Sequence, residues 1–338
     1  MGKLKTLNSA LELIGNTPLV RLKKLTVGFR TRVLAKCEFM NPSGSIKDRM
    51  ALWMIENAEK EGKLKKGGVI VDSSTGNTGI ALSFVGSIKG YAVRIFIPEK
   101  WGVEGYSPEN RLKIMKCFGA EVEKVPIEYV KTLKISEGEA SGGIIELGGR
   151  KICYEMEKKD PRVWWARQLS NPYNVLAHKE TTGKEIIAQT KGKVDAWVAS
   201  IGTGGTLLGV AQALKEVNPK VKIIGVEPEA TPLTEWYKTG KIDEIIERLG
   251  LPKAKGIINE ILDKNILDDI IRVDDHDARR MANILSSKEG LFCGLSSGAN
   301  VHAALKVARR ISKGNVVTVL VDRRDRYLDE FPTEHYVT

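Results

Sequence analysis

The 338 residues, 42% hydrophobic and 28% charged, are enough for two packed cores or for one α/β domain with an insertion. The chain shows no low-complexity run, no internal repeat and no apolar stretch near the ~18 residues a membrane span needs, which excludes a fibre, a disordered chain and a membrane protein. The net charge of +11 would suit a nucleic-acid partner, but the basic residues are interleaved with acids, as in Glu56-Asn57-Ala58-Glu59-Lys60-Glu61-Gly62-Lys63. A solvated surface that attracts small anions is the better reading, with no nucleic acid and no membrane as partner. Met1 to Thr6 lack the apolar run of a signal peptide, which points to the cytoplasm. Cys37, Cys117, Cys153 and Cys293 form no C-x-x-C, so neither a metal site nor a disulfide framework is expected.

Taken in order, Leu19–Leu22 and Arg32–Glu38 read as two short strands. An amphipathic run follows Ser43 and Ser45, with apolar side chains at Ile46, Met50, Trp53, Met54 and Ala58 at helical spacing. Val69–Val71 is an apolar strand, and Asp72–Gly79 turns into an apolar helix at Ile80–Val85. Tyr91–Pro98 is the next strand, and Ser107 and Pro108 offer an N-cap and a first position for another helix. Ala120–Val125 alternates as a strand should. Between Ile127 and Asp160 the pattern blurs around Gly142-Gly143 and Gly148-Gly149, so a domain boundary is expected near Pro161. Beyond it come a helix over about 177–190, the strand Ala196–Ser200, a glycine loop, a helix from Thr206, and strands at Val221–Val226, Asp269–Val273 and Asn315–Val321. This alternation predicts an α/β protein of two open, mostly parallel twisted sheets with a cleft between them.

Five stretches carry chemistry. Lys47 falls in a first helical turn, where the dipole and the amide donors lower the cost of losing its proton; an amine so held can form a Schiff base with an aldehyde, although most lysines are solvated and this stretch alone favours a surface group. Ser74-Thr75-Gly76-Asn77-Thr78 offers hydroxyls, an amide and loop N–H groups at a strand's carboxyl end, a place to grip a carboxylate or simply to cap its own helix. Gly202-Thr203-Gly204-Gly205-Thr206, between a strand and a helix, suits a phosphate; it is neither a dinucleotide fingerprint nor a P-loop, and by itself it is equally an ordinary turn. Gln168-Leu169-Ser170-Asn171-Pro172 with Thr181-Thr182-Gly183, and Gly294-Leu295-Ser296-Ser297-Gly298-Ala299, are weak alone, and His178 reads as structural.

Together with Gly15-Asn16-Thr17-Pro18-Leu19 and Asn41–Arg49, these motifs stand in family order from Gly15 to Ala299 and resemble the cysteine synthase group of pyridoxal-phosphate β-family enzymes. That group takes in O-acetylserine and O-phosphoserine sulfhydrylases and the catalytic core of cystathionine β-synthases. The resemblance implies the tryptophan synthase β-like fold, fold type II, with pyridoxal 5'-phosphate in the cleft. It also implies a larger cofactor domain of residues 1–40 plus 161–338, and a smaller mobile domain of residues 41–160 that carries the lysine and the carboxylate loop.

By the same resemblance, Lys47 forms the Schiff base and acts as acid and base, and Asn77 contacts the cofactor's phenolic oxygen. Gly202, Thr203, Gly204, Gly205 and Thr206 cradle its phosphate, and Ser296 bonds the ring nitrogen. Ser74, Thr75, Gly76, Thr78 and Gln168 bind the substrate carboxylate. Ser74-Thr75 stands where most relatives have Thr-Ser; the segment from Leu233 to Lys255 lacks the usual glycine and proline; and Arg323-Arg324 replace small residues. These arginines follow a strand end, so they either bind a phosphate leaving group or pair with Asp322 and Asp325. The activity implied is synthesis of L-cysteine from an O-activated L-serine and sulfide through an aminoacrylate, by a homodimer. Cystathionine β-synthase or serine/threonine dehydratase activity is the alternative, and a basic nucleic-acid-binding protein the rival from another class.

Overall fold

The computed structural model describes residues 6–99, 108–126, 146–230, 233–248, 250–252 and 256–330. In its first part, β1 (Leu19–Arg21) and β2 (Arg32–Cys37) lead to α1 (Lys47–Lys60), β3 (Val69–Ser73), α2 (Asn77–Lys89), β4 (Ala92–Pro98), α3 (Glu109–Cys117), β5 (Glu121–Val125), α4 (Leu147–Lys159) and β6 (Val163–Trp165). Then come α5 (Pro172–Ala177), a π-helical turn (His178–Gly183), α6 (Lys184–Thr190), β7 (Ala196–Ser200), α7 (Gly205–Val217) and β8 (Lys222–Pro228). The chain continues with α8 (Leu233–Lys238), α9 (Lys241–Arg248), α10 (Ile257–Asp263), β9 (Asp269–Val273), α11 (Asp275–Ile284), α12 (Leu295–Arg310), β10 (Asn315–Leu320) and a 3-10 helix (Arg324–Glu330). Among the described residues no helix is long and apolar enough to cross a membrane.

The strands form two sheets, in the orders β1-β2-β10-β7-β8-β9 and β5-β4-β3-β6. Every pairing but that of β1 with β2 is parallel. A parallel strand covered on both faces must be apolar on both, and all of β10 (NVVTVL) is buried. On one face of the larger sheet Val33, Val198 and Val316 pack with Met281, Val301 and Ala304 of α11 and α12; on the other, Trp197 and Val317 pack with Leu207, Val210 and Leu214 of α7. The smaller sheet sets Ile70 and Ile95 against α1 to α3, and Val71 and Phe96 against Leu147 and Cys153 of α4.

Several expectations need adjusting. Gly148 and Gly149 do not break the pattern: they lie in the first turn of α4, and a β-carbon at Gly149 would come within 2.4 Å of Ser73 Oγ and 2.9 Å of Phe96 Cβ. The glycine lets the helix press onto β3 and β4. Strand β6 lies past Pro161 and pairs with β3, so the smaller sheet continues beyond the expected boundary. Pro108 caps α3 from outside, while Ser107, Trp101 to Tyr106 and Gly142-Gly143 lie outside the described residues. The segment from Leu233 is helical, and Trp236 and Tyr237 pack against the cores of both sheets, so α8 bridges the cleft.

Candidate active site

The carboxyl ends of β2, β3, β7 and β10 converge on the cleft. The loop after β2 is zipped to the end of β10: Ile46 donates its N–H to Val321 O at 2.9 Å, and Arg323 donates to Gly44 O at 3.0 Å. Gly44 has φ +87°, and a β-carbon there would meet Arg326 Nη2 at 2.3 Å, so only glycine lets the chain pass. The N–H of Lys47 reaches Ser45 Oγ at 3.3 Å, whereas Ser43 folds onto Asp48, its N–H donating to Oδ2 at 2.7 Å. Two residues on, Arg49 is clamped by Glu38 and Glu185, which fixes the first turn of α1. Lys47 is thereby held in the cleft, and burial pulls its ammonium down to about 8 against the opposing charges of Glu146 and Asp322. A lysine so placed is about one-tenth neutral at pH 7, far more than an ordinary lysine.

After β3, the loop splits its duties. Ser74 Oγ accepts from the N–H groups of Gly76 at 3.3 Å and Gly79 at 3.1 Å, so it caps its own helix. Thr75 instead turns outward and donates its N–H and its hydroxyl to Glu146 Oε1, at 2.9 and 3.0 Å. Thr78 donates to Gln168 Oε1, which leaves Gln168 Nε2 to donate to Ser73 O and Glu146 Oε2, both at 3.2 Å. Gly76 has open space where a side chain would stand, with Arg111 Cδ at 3.9 Å. Asn77 begins α2; its Nδ2 donates to Asp322 Oδ2 at 2.6 Å, and its Oδ1 accepts from Arg326.

After β7, the glycine loop turns on Gly204, with φ +87°, into the N-terminus of α7. A β-carbon at Gly202 would meet nothing within 4 Å, and one at Gly205 would lie 2.1 Å from Asn174 Oδ1. Asn174 supports the loop by donating to Thr203 Oγ1 at 3.1 Å. Thr206 Oγ1 lies 3.2 Å from His178 Nε2, and the other ring nitrogen lies 3.1 Å from Thr182 Oγ1. Burial, with the nearby Lys47 and Arg49 charges, pushes His178 well below its usual range, so the ring is neutral. At the start of α12, Ser297 is buried and its hydroxyl accepts the Val321 N–H at 2.9 Å, which leaves half-buried Ser296 as the serine on the more open side.

The two arginines singled out after β10 diverge. Arg323 is exposed and pairs with Asp325 at 2.8 Å, while Arg324 is buried and donates to Cys293 O at 3.0 Å and Asn283 Oδ1 at 2.7 Å. Three residues that sequence reasoning passed over touch the site instead: Arg326, Tyr327 and Glu146. Arg326 also donates to Ser43 O at 2.7 Å, and Tyr327 donates to Asp322. The place of Arg326-Tyr327 just after a central parallel strand was the available signal; Glu146, in the blurred stretch, had none. A readily neutralised amine at Lys47, an open glycine loop on a helix N-terminus, and a second helix start at Asn77 make a donor set that fits a phosphorylated aldehyde.

The signature of the family described as "Pyridoxal-phosphate dependent enzyme" matches residues 10–322. The chain is 38% identical to the cysteine synthase of Staphylococcus aureus (strain Mu50 / ATCC 700699) over 326 residues, covering 96% of each. It is 35% identical to the cystathionine beta-synthase of Mus musculus over 339 residues, covering 98% of this chain but 56% of that protein, so the chain spans about half of that relative's length. Among solved structures, the cysteine synthase of Entamoeba histolytica superposes with a TM-score of 0.80 at 34% identity, covering 100% of this chain and 94% of that one. An O-ureido-L-serine synthase superposes with a TM-score of 0.79 at 33% identity, covering 96% and 94%. Fold, cleft and sequence thus agree, and the chain belongs to the pyridoxal-phosphate dependent enzymes, in the fold type II group of cysteine synthases and cystathionine β-synthases.

Proposed function

We propose that this enzyme replaces the oxygen substituent on the β-carbon of an O-activated L-serine with sulfide and releases L-cysteine. The observation that carries the reading is the meeting, in one cleft, of a lysine whose ammonium is pulled down to about 8 with a set of carboxylate-binding donors from Thr75 and Gln168. When bound, pyridoxal phosphate supplies the electron sink for breaking bonds at the substrate's α- and β-carbons. Gly202, Thr203, Gly204, Gly205 and Thr206 would hold its phosphate, Lys47 its aldehyde carbon, Asn77 its phenolic oxygen and Ser296 its ring nitrogen. A serine hydroxyl there does not stabilise a protonated ring, which favours elimination over prolonged carbanion chemistry.

Lys47, freed when the substrate's amine takes its place, takes the α-proton, the β-carbon loses its oxygen substituent with the bonding pair, a C–S bond forms to sulfide, and Lys47 returns a proton to the α-carbon. The leaving group is acetate or phosphate. Arg323, beside Gly44 and half in solvent, is the better placed of the two arginines for a phosphate dianion, whereas Arg324 is committed to Cys293 and Asn283. The deciding experiment assays O-acetylserine, O-phosphoserine and serine, each against sulfide and homocysteine. Cysteine from an O-activated serine supports the proposal. Cystathionine from serine and homocysteine, or a 2-oxo acid without sulfide uptake, would move the enzyme to a cystathionine β-synthase or a dehydratase.

A further inference from the structure

The donors assigned above to the substrate carboxylate already hold a carboxylate. Glu146, the residue before α4, accepts the N–H and hydroxyl of Thr75 on Oε1, at 2.9 and 3.0 Å, and the amide of Gln168 on Oε2 at 3.2 Å. The set is built for this geometry: Thr78 fixes which way the Gln168 amide points, and the Glu146 backbone carbonyl accepts Ser73 Oγ at 2.9 Å, so the chain is pinned and the side chain alone need swing. We propose that Glu146 is a specificity-determining residue whose own carboxylate fills the amino-acid carboxylate pocket and yields it only to a ligand that has a second attachment in the cleft.

The inference rests on the carboxylate-pocket reading of Thr75, Thr78 and Gln168. A tethered carboxylate competes at a high effective concentration, so a free monocarboxylate that offers nothing more is excluded. An amino acid also brings an α-amine, which supplies the extra attachment. The surroundings make Glu146 a displaceable occupant. Burial pushes its carboxyl up to about 7, the Thr75 hydrogen bonds work against that rise, buried Asp72 adds to it and Arg150 opposes it. A carboxylate that is costly to keep ionised is held less firmly than an ordinary one.

The test titrates the holoenzyme with L-serine and with acetate by calorimetry, in wild type, Glu146→Ala and the isosteric Glu146→Gln, with thermal melting as the check of folding. Glu146→Ala is expected to bind L-serine about tenfold more tightly and to gain measurable acetate binding, with a smaller gain in the same direction for Glu146→Gln. Unchanged or weaker L-serine binding in both variants overturns the proposal, and Glu146→Gln decides if Glu146→Ala fails to fold. Thr75→Val separates the two readings. If it weakens L-serine binding while the Glu146 variants change nothing, the pocket stands and the role of Glu146 falls; if it has no effect in either background, the pocket reading itself falls.

Discussion

Arg49 and Glu185 face each other across the two halves of the molecule and share a two-pronged ion pair, Nη1 to Oε1 at 2.6 Å and Nη2 to Oε2 at 2.8 Å. Glu38 grips the same guanidinium at 2.7 Å, and Lys36 Nζ donates to Glu185 at 2.6 Å. Although burial works against it, the hydrogen bonds from Arg49 and Lys36 hold Glu185 down at about 2. A carboxyl depressed in the folded state stabilises the fold above its unfolded pKa of about 4.5, and that contribution disappears as pH falls toward about 2. Glu185→Gln should therefore cost about 3 kcal/mol at neutral pH, because it takes the carboxylate from buried Lys36 and leaves Arg49 to Glu38 alone, and should flatten the acid limb of stability. Urea unfolding of both proteins across that pH range measures it; parallel acid limbs would refute the assignment.

Lys47→Ala should leave the fold intact and remove the visible absorbance of covalently attached cofactor. In the wild-type protein freed of cofactor, the folded-state pKa of about 8 lies below the ordinary lysine value of 10.5. The unfolded chain then binds more protons between those values, so stability rises with pH across that window and is fully penalised below it. Cofactor reloading should speed up with pH and level off just above 8. Borohydride reduction and peptide mapping check the attachment point, and label on another lysine would reject it.

Arg326 and Arg323 should behave oppositely. Arg326 is buried and binds Asn77 and the Ser43 carbonyl, so Arg326→Ala should cost about 2 kcal/mol and weaken cofactor retention by freeing Asn77. The exposed pair of Arg323 with Asp325 should be worth less than about 0.5 kcal/mol. On the phosphate reading, Arg323→Ala should lower kcat/KM for O-phosphoserine about tenfold, the loss of one charged contact, and spare O-acetylserine. Thermal melts with cofactor titration, and paired steady-state assays, read out both.

Gly209→Ala should destabilise the protein, against the usual preference of helices for alanine. In the middle of α7 the substitution would gain about 1 kcal/mol of helix propensity. Its β-carbon, however, would lie 2.3 Å from the Val175 carbonyl and 2.8 Å from His178 Cβ, where α7 presses on α5 and the π-helical turn. Overpacking of that kind costs about 1–3 kcal/mol, enough to reverse the sign. A melting temperature at or above wild type would contradict it.

The central strands and the glycine loop were readable because their signals are local. The apolar runs Ala196–Ser200 and Asn315–Val321 stand close to β7 and β10, since a strand buried on both faces has no polar alternation to confuse it. Strand β6 escaped notice at three residues, too short for periodicity, and α4 was hidden by glycines that serve packing rather than turning. In the candidate site, a single stretch could be picked out wherever one motif would carry one role, as Lys47 for a Schiff base and Gly202 to Thr206 for a phosphate. The site was illegible where partners lie far apart in sequence: Glu146 meets Thr75, and Arg326 meets Asn77, through side-chain contacts that no spacing announces.

Strand β10 is last in sequence among the described strands, yet it lies inside the larger sheet between β2 and β7. Its end also anchors the Lys47 loop through the Ile46 to Val321 hydrogen bond and positions the residues that hold Asn77. During synthesis on the ribosome, β2 and β7 therefore emerge with an unfilled slot between them, and their exposed edges wait until Asn315 to Leu320 have been made. The lysine loop has nothing to lean on until that strand inserts. Assembly of the cleft consequently waits on β10 rather than coming early, and a nascent chain stalled before Asn315 should be unable to retain cofactor.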